Sequence, residues 1–291
     1  MVLVQNNNHP KSTHKAISID VLRVILICLL TSQIIASCGQ DLSRVDQTDS
    51  IQKITLTKEM IDDVINNQSI QCTNNYCPHG LARIMVLNKK NANESLNCSG
   101  FLIANDLLLT NAHCLDVGST KDACEGLYAL FPDHRGNIEK ARCQNVLINS
   151  KRTRANSGLI IDDLALIQLD RNVGLNYFNI NQKQMSGTIE SLRTFVIDHI
   201  DAYNARIVSF NCQATSGQYN SELMLHNCPV ISGNSGAPLF NERHEIRGII
   251  FASHKNIEVD ARTPLVDRLA VDSTALGLSS ERIWQLIAPK L

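Results

Sequence analysis

Three short segments of the chain hold residue types that could attack a carbonyl and move a proton. The first is Ser232, Gly233, Asn234, Ser235, Gly236, Ala237, Pro238, set between Val230, Ile231 and Leu239, Phe240. A serine flanked by glycines on a turn suits a nucleophile, because glycine lets the backbone fold tightly enough for two N–H groups to aim at one spot beside the hydroxyl. Those amides are expected to be Gly233 and Ser235, ready for the oxyanion that forms when Ser235 attacks a carbonyl. The second segment runs Leu107, Leu108, Leu109, Thr110, Asn111, Ala112, His113, Cys114. His113 closes an apolar strand, and a bridge from Cys98 on the preceding strand to Cys114 would fasten it as a general base. The third is Asp162, Asp163, Leu164, Ala165, Leu166, Ile167. A serine hydroxyl is a weak nucleophile at neutral pH, and an imidazole base works best when a buried carboxylate keeps its other nitrogen protonated. Asp163, directly before the apolar run, is the expected carboxylate, with Asp162 as the alternative. His79, His134, His199, His226, His244 and His254 lack such surroundings and are read as structural.

The elements that must hold these groups read as β-structure. Short apolar runs broken by Asn, Asp, Gly and Ser predict strands over residues 83–87, 100–104, 107–110, 145–148 and 164–169. The pattern continues over 194–197, 205–210, 222–225, 237–240, 246–253 and 263–266. Many short strands at this spacing indicate an all-β barrel or sandwich. Met60, Ile61, Val64 and Ile65 recur at helical spacing over residues 58–68, and Ile283, Trp284, Leu286 and Ile287 do so behind Ser279 and Ser280, which predicts a capped terminal helix. Residues 39–57 are polar and without apolar period, as a tether is.

Taken together the three segments resemble the trypsin-like serine peptidase family, whose motifs read Thr-Ala-Ala-His-Cys, Asp-Ile/Leu-Ala-Leu and Gly-Asp/Asn-Ser-Gly-Gly/Ser-Pro. Here they stand as residues 110–114, 163–166 and 233–238, fifty residues from His113 to Asp163 and seventy-two from there to Ser235. The resemblance covers roughly residues 80–291. It implies two six-stranded antiparallel β-barrels with a C-terminal α-helix. The first barrel would span about 80–175, the second about 180–270 and the helix about 279–288, within a peptidase domain of residues 58–291. It also implies a serine endopeptidase acting through an acyl-enzyme intermediate. His113 and Asp163 would come from the first barrel and Ser235 from the second. Asn234 departs from the animal members, whose Asp pairs with a newly cut N-terminus, and resembles bacterial relatives. Pro229 falls about where tryptic enzymes hold an acidic pocket residue, and Ile250 about where glutamyl endopeptidases hold a pocket His. With Phe251, Ala252 and Ser253 these outline a pocket for an apolar or small side chain.

Ten cysteines bear on the compartment. Cys28 and Cys38 lie in a leader, which leaves eight in the body without paired CxxC or CxxxH spacing, so disulfides are expected and no metal or other cofactor. Sequence proximity pairs Cys72 with Cys77, Cys98 with Cys114, Cys124 with Cys143 and Cys212 with Cys228. Lys11, Lys15 and Arg23 precede an apolar run over residues 24–30, and Ile35, Ala36, Ser37, Cys38 resembles a bacterial lipobox. The reading is a signal peptide over 1–37 and a tether over 38–57 starting at a lipidated Cys38; the alternative is plain cleavage after Ala36 or Ser37. Lipidation would hold an exported protein at a membrane surface. A net charge of −1 with scattered Lys and Arg argues against nucleic acid as partner. Protein or peptide substrates and a monomer are expected. An α/β-hydrolase needs G-x-S-x-G and the order Ser, Asp, His, and this chain has neither. The competing reading from another class is a surface lipoprotein that binds ligands on an inactive protease scaffold.

Overall fold

The computed structural model describes residues 56–72, 77–87, 96–115, 124–153, 160–185, 189–216, 222–231, 233–253 and 274–291. The leader with Cys38, nearly all of the tether, Ser232 and the strand expected over 263–266 lie outside the described residues, as do the side chains of Ala252 and Ser253. Six strands, β2 (Leu81–Val86), β3 (Leu96–Leu102), β4 (Leu107–Thr110), β5 (Leu127–Pro132), β6 (Ile138–Thr153) and β7 (Ile160–Leu169), close an antiparallel barrel in the order β2-β3-β4-β7-β6-β5. Six more, β8 (Glu190–His199), β9 (Asn204–Ser216), β10 (Glu222–His226), β11 (Pro238–Phe240), β12 (Ile246–Ser253) and β13 (Thr274–Ser279), run β8-β9-β10-β13-β12-β11 and return to β8. The β1 strand (Ser69–Gln71) adds to β9 in parallel, Ser69 opposite Asn204. The expected fold class is the one observed: two six-stranded antiparallel barrels and a C-terminal helix.

Strand alternation sorts the apolar side chains into three cores. Ala82, Ile84, Ala129, Phe131, Ala165 and Ile167 fill the first barrel, and Leu192, Val196, Cys212, Leu223, Leu239 and Ile250 fill the second. Their strand neighbours Leu81, Met85, Leu164, Leu166, Phe195, Ile197, Ile249 and Phe251 turn the other way and meet in a core shared by both barrels. Phe101, Phe178, Phe240 and Phe195 cross that shared core edge to face, with ring centroids 6.3, 4.9 and 5.9 Å apart in sequence.

Three strands escape the sequence reading, the three-residue β1 just past the expected helix, β5 and β13. Every residue of β5 is buried, so Leu-Tyr-Ala-Leu-Phe-Pro shows an unbroken apolar run and no period of two. The β13 run Thr-Ala-Leu-Gly-Leu-Ser is short and glycine-interrupted, yet it extends the second barrel beyond residue 270 by pairing with both β10 and β12. The β6 strand is sixteen residues long where four were expected, because it serves two partners, β5 through residues 138–142 and β7 beyond, bending at bulges near Cys143 and Val146.

Both α-helices among the described residues bury one stripe on the shared core. In α1 (Lys58–Asn66), the Thr57 side chain caps the Met60 N–H, and Ile61 and Ile65 are buried. In α2 (Ser280–Ile287), Ser279 caps the Arg282 N–H and Ile283 and Ile287 are buried. Arg282 also forks onto Asp162 of β7, Nε to Oδ1 at 2.8 Å and Nη2 to Oδ2 at 2.9 Å, with Asp162 fully buried. Removing the cation from that carboxylate is expected to be costly: Arg282→Leu should lower unfolding free energy by about 3 kcal/mol in urea titration. Loss of under about 1 kcal/mol would show that the pair is not a fastening for the helix.

Candidate active site

The β4 strand ends in a single 3-10 turn, Ala112–Leu115, which turns His113 back toward β7. The His113 Nδ1 lies 2.5 Å from Asp163 Oδ2, and its own backbone N–H donates to Asp163 Oδ1 at 2.9 Å. Asp163 is fully buried, while the His113 side chain is 30% exposed. Successive residues of a strand face opposite ways, so Asp162 and Asp163 part company: Asp162 goes to Arg282 and Asp163 to His113. Asn111 has a part that sequence reasoning did not assign, since its Nδ2 donates to the Asp163 carbonyl at 2.7 Å and so holds the backbone of the carboxylate.

Ser235 reaches the same neighbourhood through the backbone. Its carbonyl accepts from Ser99 N–H at 2.7 Å, and Ser99 follows Cys98, whose disulfide runs to Cys114 beside His113. A Cβ on Gly236 would stand 2.0 Å from the Ser99 carbonyl oxygen and 2.6 Å from Thr110 Oγ1, so nothing larger than glycine lets this turn lie against the first barrel. Gly236 and Gly233 both hold positive φ, +88° and +93°, which glycine adopts without strain. Among the described residues neither the Gly233 nor the Ser235 N–H has an acceptor, as two amides reserved for an oxyanion would require.

The turn is gripped from beneath by β8. Thr194 Oγ1 donates to the Pro238 carbonyl at 2.8 Å, and Asn234 Nδ2 donates to the Ile197 carbonyl at 3.3 Å while its Oδ1 accepts from Ile231 N–H at 2.9 Å. His199, read from the sequence as merely structural, lies against the turn: a Cβ on Gly233 would meet its Cδ2 at 2.3 Å and its Nε2 at 2.9 Å. The residue is half-buried, but both ring nitrogens are out of solvent and meet no hydrogen-bond partner among the described residues. Burial, with Arg83 second, pushes its pKa down to about 3; the Gly233 backbone and Asp198 oppose this more weakly. The one signal that could have found His199 is its place two residues beyond Ile197, on the face that meets the shared core.

Against this geometry the comparisons are unambiguous about family. The family described as "Trypsin-like peptidase domain" matches residues 98–249. The chain belongs to the trypsin-like peptidase family. No curated protein sequence matches it. Among solved structures, GrC superposes with a TM-score of 0.54 at 11% identity, covering 76% of this chain and 97% of that one. A Glu endopeptidase does so with a TM-score of 0.51 at 17% identity, covering 75% and 93%. At these identities the likeness is one of fold.

Within this trypsin-like domain the residues expected to outline a pocket are placed unevenly. Pro229 is buried, Ile250 is 1% exposed in the second barrel's core, and Phe251 is 3% exposed in the shared core. Ile250 meets the turn that carries Ser235 through its backbone instead, accepting from Gly236 N–H and donating to the Ala237 carbonyl, both at 2.9 Å. A neutral or apolar pocket wall built of Ile250 and Phe251 side chains is therefore not what the strand presents. The Ala252 and Ser253 side chains lie outside the described residues. The eight body cysteines are joined as Cys72 to Cys77, Cys98 to Cys114, Cys124 to Cys143 and Cys212 to Cys228. Cys98, His113 and Cys114 cluster closely enough to ligate an ion, but both sulfurs are spent on the disulfide.

The depressed His199 pKa has a stability consequence with a definite sign. Below the ordinary histidine pKa of 6.5 the unfolded chain takes up a proton that the folded one refuses until about pH 3, so this group destabilises the fold as pH falls through that window. Between pH 6.5 and 4.5 the effect should reach about 2 kcal/mol. It is measured as the difference in pH slope of unfolding free energy between wild type and His199→Phe, and parallel slopes would refute it.

Proposed function

We propose that the chain is an exported serine endopeptidase in which Ser235 is the nucleophile, His113 the general base and Asp163 the carboxylate that orients it. The observation that carries this reading is the pair of bonds from one buried carboxylate to the ring and backbone of His113. With Nδ1–H committed to Asp163, the lone pair of the neutral ring is on Nε2, free to take the Ser235 proton as the hydroxyl attacks a peptide carbonyl. The resulting oxyanion would be received by the Gly233 and Ser235 amides. His113, then an imidazolium stabilised by Asp163, returns its proton to the leaving amine, and water cleaves the acyl-enzyme by the same steps in reverse roles. Four disulfides suit an oxidising, exported compartment.

A fluorophosphonate probe tests the reading on the purified chain. Wild type should be labelled at Ser235, Ser235→Ala not at all, and His113→Ala and Asp163→Asn should cleave a peptide substrate with kcat reduced about 10⁴-fold. A folded wild type that resists the probe would instead mark an inactive protease-fold binding module. The finer export reading adds a lipid-bearing Cys38 as the start of a membrane tether. Metabolic labelling with a fatty acid should mark wild type and not Cys38→Ala, and equal labelling of both would remove the anchor.

A further inference from the structure

Two polar side chains interrupt apolar runs on the face that the barrels share. Arg83 occupies the β2 position between Leu81 and Met85, and His199 the β8 position after Ile197. Arg83 is fully buried, and among the described residues no carboxylate is in hydrogen-bond contact with it. Its Nε donates to Asn97 Oδ1 at 3.2 Å, its Nη2 to the Asp201 carbonyl at 3.2 Å and its Nη1 to Gln68 Oε1 at 2.5 Å. Burial of this kind brings its pKa down to about 10. A buried guanidinium held by neutral oxygens is expensive to keep, and its surroundings show what it holds.

Gln68 belongs to the segment between α1 and β1, ahead of both barrels. Its Nε2 donates to Val64 and Ala202 carbonyls at 2.5 and 3.0 Å. The next residue, Ser69, donates its N–H to the Tyr203 carbonyl at 2.8 Å. Three consecutive carbonyls of the β8–β9 turn, Asp201, Ala202 and Tyr203, are thus taken by Arg83, Gln68 and Ser69. That turn starts one residue past His199, whose ring edge is wedged against Gly233. Gly233 is also the residue most able to turn its peptide the wrong way, because a glycine at positive φ has cheap alternatives on either side. Other fastenings on the turn, among them Ser99 Oγ on the Gly233 carbonyl at 3.3 Å and the Asn234 amide, come from within the barrels.

We propose that residues 57–71 are a permanent activating element of the nucleophile turn, acting through Gln68, Arg83 and His199 to hold Gly233 in its oxyanion-binding conformation. The inference rests on the serine peptidase reading for its consequence but on packing for its substance. Gln68 fixes Arg83, Arg83 and Gln68 fix the β8–β9 turn, and the turn fixes the His199 ring that blocks rotation at Gly233. None of these groups touches substrate; each positions the next. The segment stays on the active protein, held by Ile61, Ile65 and Ile70 in the shared core and by the Lys140 Nζ bond to Asn66 at 3.0 Å.

The test uses the full chain with Gln68→Leu, Gln68→Glu, His199→Ala and the double variant Gln68→Leu/His199→Ala. Gln68→Leu should lower kcat about tenfold with KM changed less than about threefold, since loss of one oxyanion donor is worth 10²- to 10³-fold at most. Gln68→Glu, which keeps the oxygen that Arg83 grips but loses the amide donor to the Val64 and Ala202 carbonyls, should have a kcat between those of wild type and Gln68→Leu. The double variant should be no slower than His199→Ala, as members of one pathway are. Additive losses, or a loss confined to KM, would overturn the proposal. Hydrogen exchange supplies a readout that needs no activity: amide exchange at Ile231 and Asn234 should rise about tenfold in Gln68→Leu while that of Leu166 in β7 is unchanged. Unchanged exchange at the turn sinks the inference even if the enzyme is active, and a rise sustains it even if the probe fails to label Ser235.

Discussion

The arrangement depends on a turn of one barrel lying against the backbone of the other at a distance that no side chain survives. Gly236 stands where any Cβ would overlap the Ser99 carbonyl and Thr110 Oγ1, and the Ser235 carbonyl takes the Ser99 N–H. Backbone-to-backbone docking of this kind positions a hydroxyl to within a few tenths of an ångström, because neither partner has rotamers to relax into. Thr110 itself donates to the Ser99 carbonyl at 2.8 Å, so the docking surface is braced before the turn arrives. Two residues beyond Asn111 comes His113, and the Cys98 to Cys114 disulfide ties the strand carrying Ser99 to the turn carrying the imidazole. Ser235 and His113 are thereby referenced to one short stretch of the first barrel.

That economy explains how much of the site is legible in the sequence. His113, Asp163 and Ser235 stand in contiguous motifs whose glycines, apolar strands and adjacent cysteine follow from local requirements. The barrels are legible for the same reason wherever strands alternate between two faces. They are illegible where a strand is buried on both sides, as β5 is, or is short and carries a glycine against a close neighbour, as β13 does at Gly277. A sixteen-residue β6 hides because its outward face is polar and its partner changes midway.

Asn111, Arg83, Gln68 and His199 could not be found this way. Each owes its part to a neighbour far along the chain: Asn111 to Asp163, Arg83 to Gln68 and to the Asp201 carbonyl, His199 to Gly233. A lone polar residue in an apolar period looks like noise in a sequence and becomes meaningful when two such residues turn out to share one face. The residues expected to outline a pocket show a related effect. The Ile250 backbone meets the turn, while alternation along β12 sends the Ile250 and Phe251 side chains into two separate cores.

Asn234 shows how the turn manages without a charge. An aspartate there would bring a buried carboxylate that needs a cation, and in relatives activated by cleavage the new N-terminus supplies one. A carboxamide needs one acceptor and one donor, and both lie at hand: the Ile231 N–H on its oxygen and the Ile197 carbonyl on its nitrogen, at a side chain in a residue 1% exposed. A neutral group satisfied at both ends avoids the several kcal/mol that burying an unpaired ion costs, and its bonds form as soon as β8 pairs with β11. The partners of the Asn234 side chain are thus residues of the second barrel's own strands and turn, with β8 beneath it, while the segment ahead of the barrels packs on the shared core.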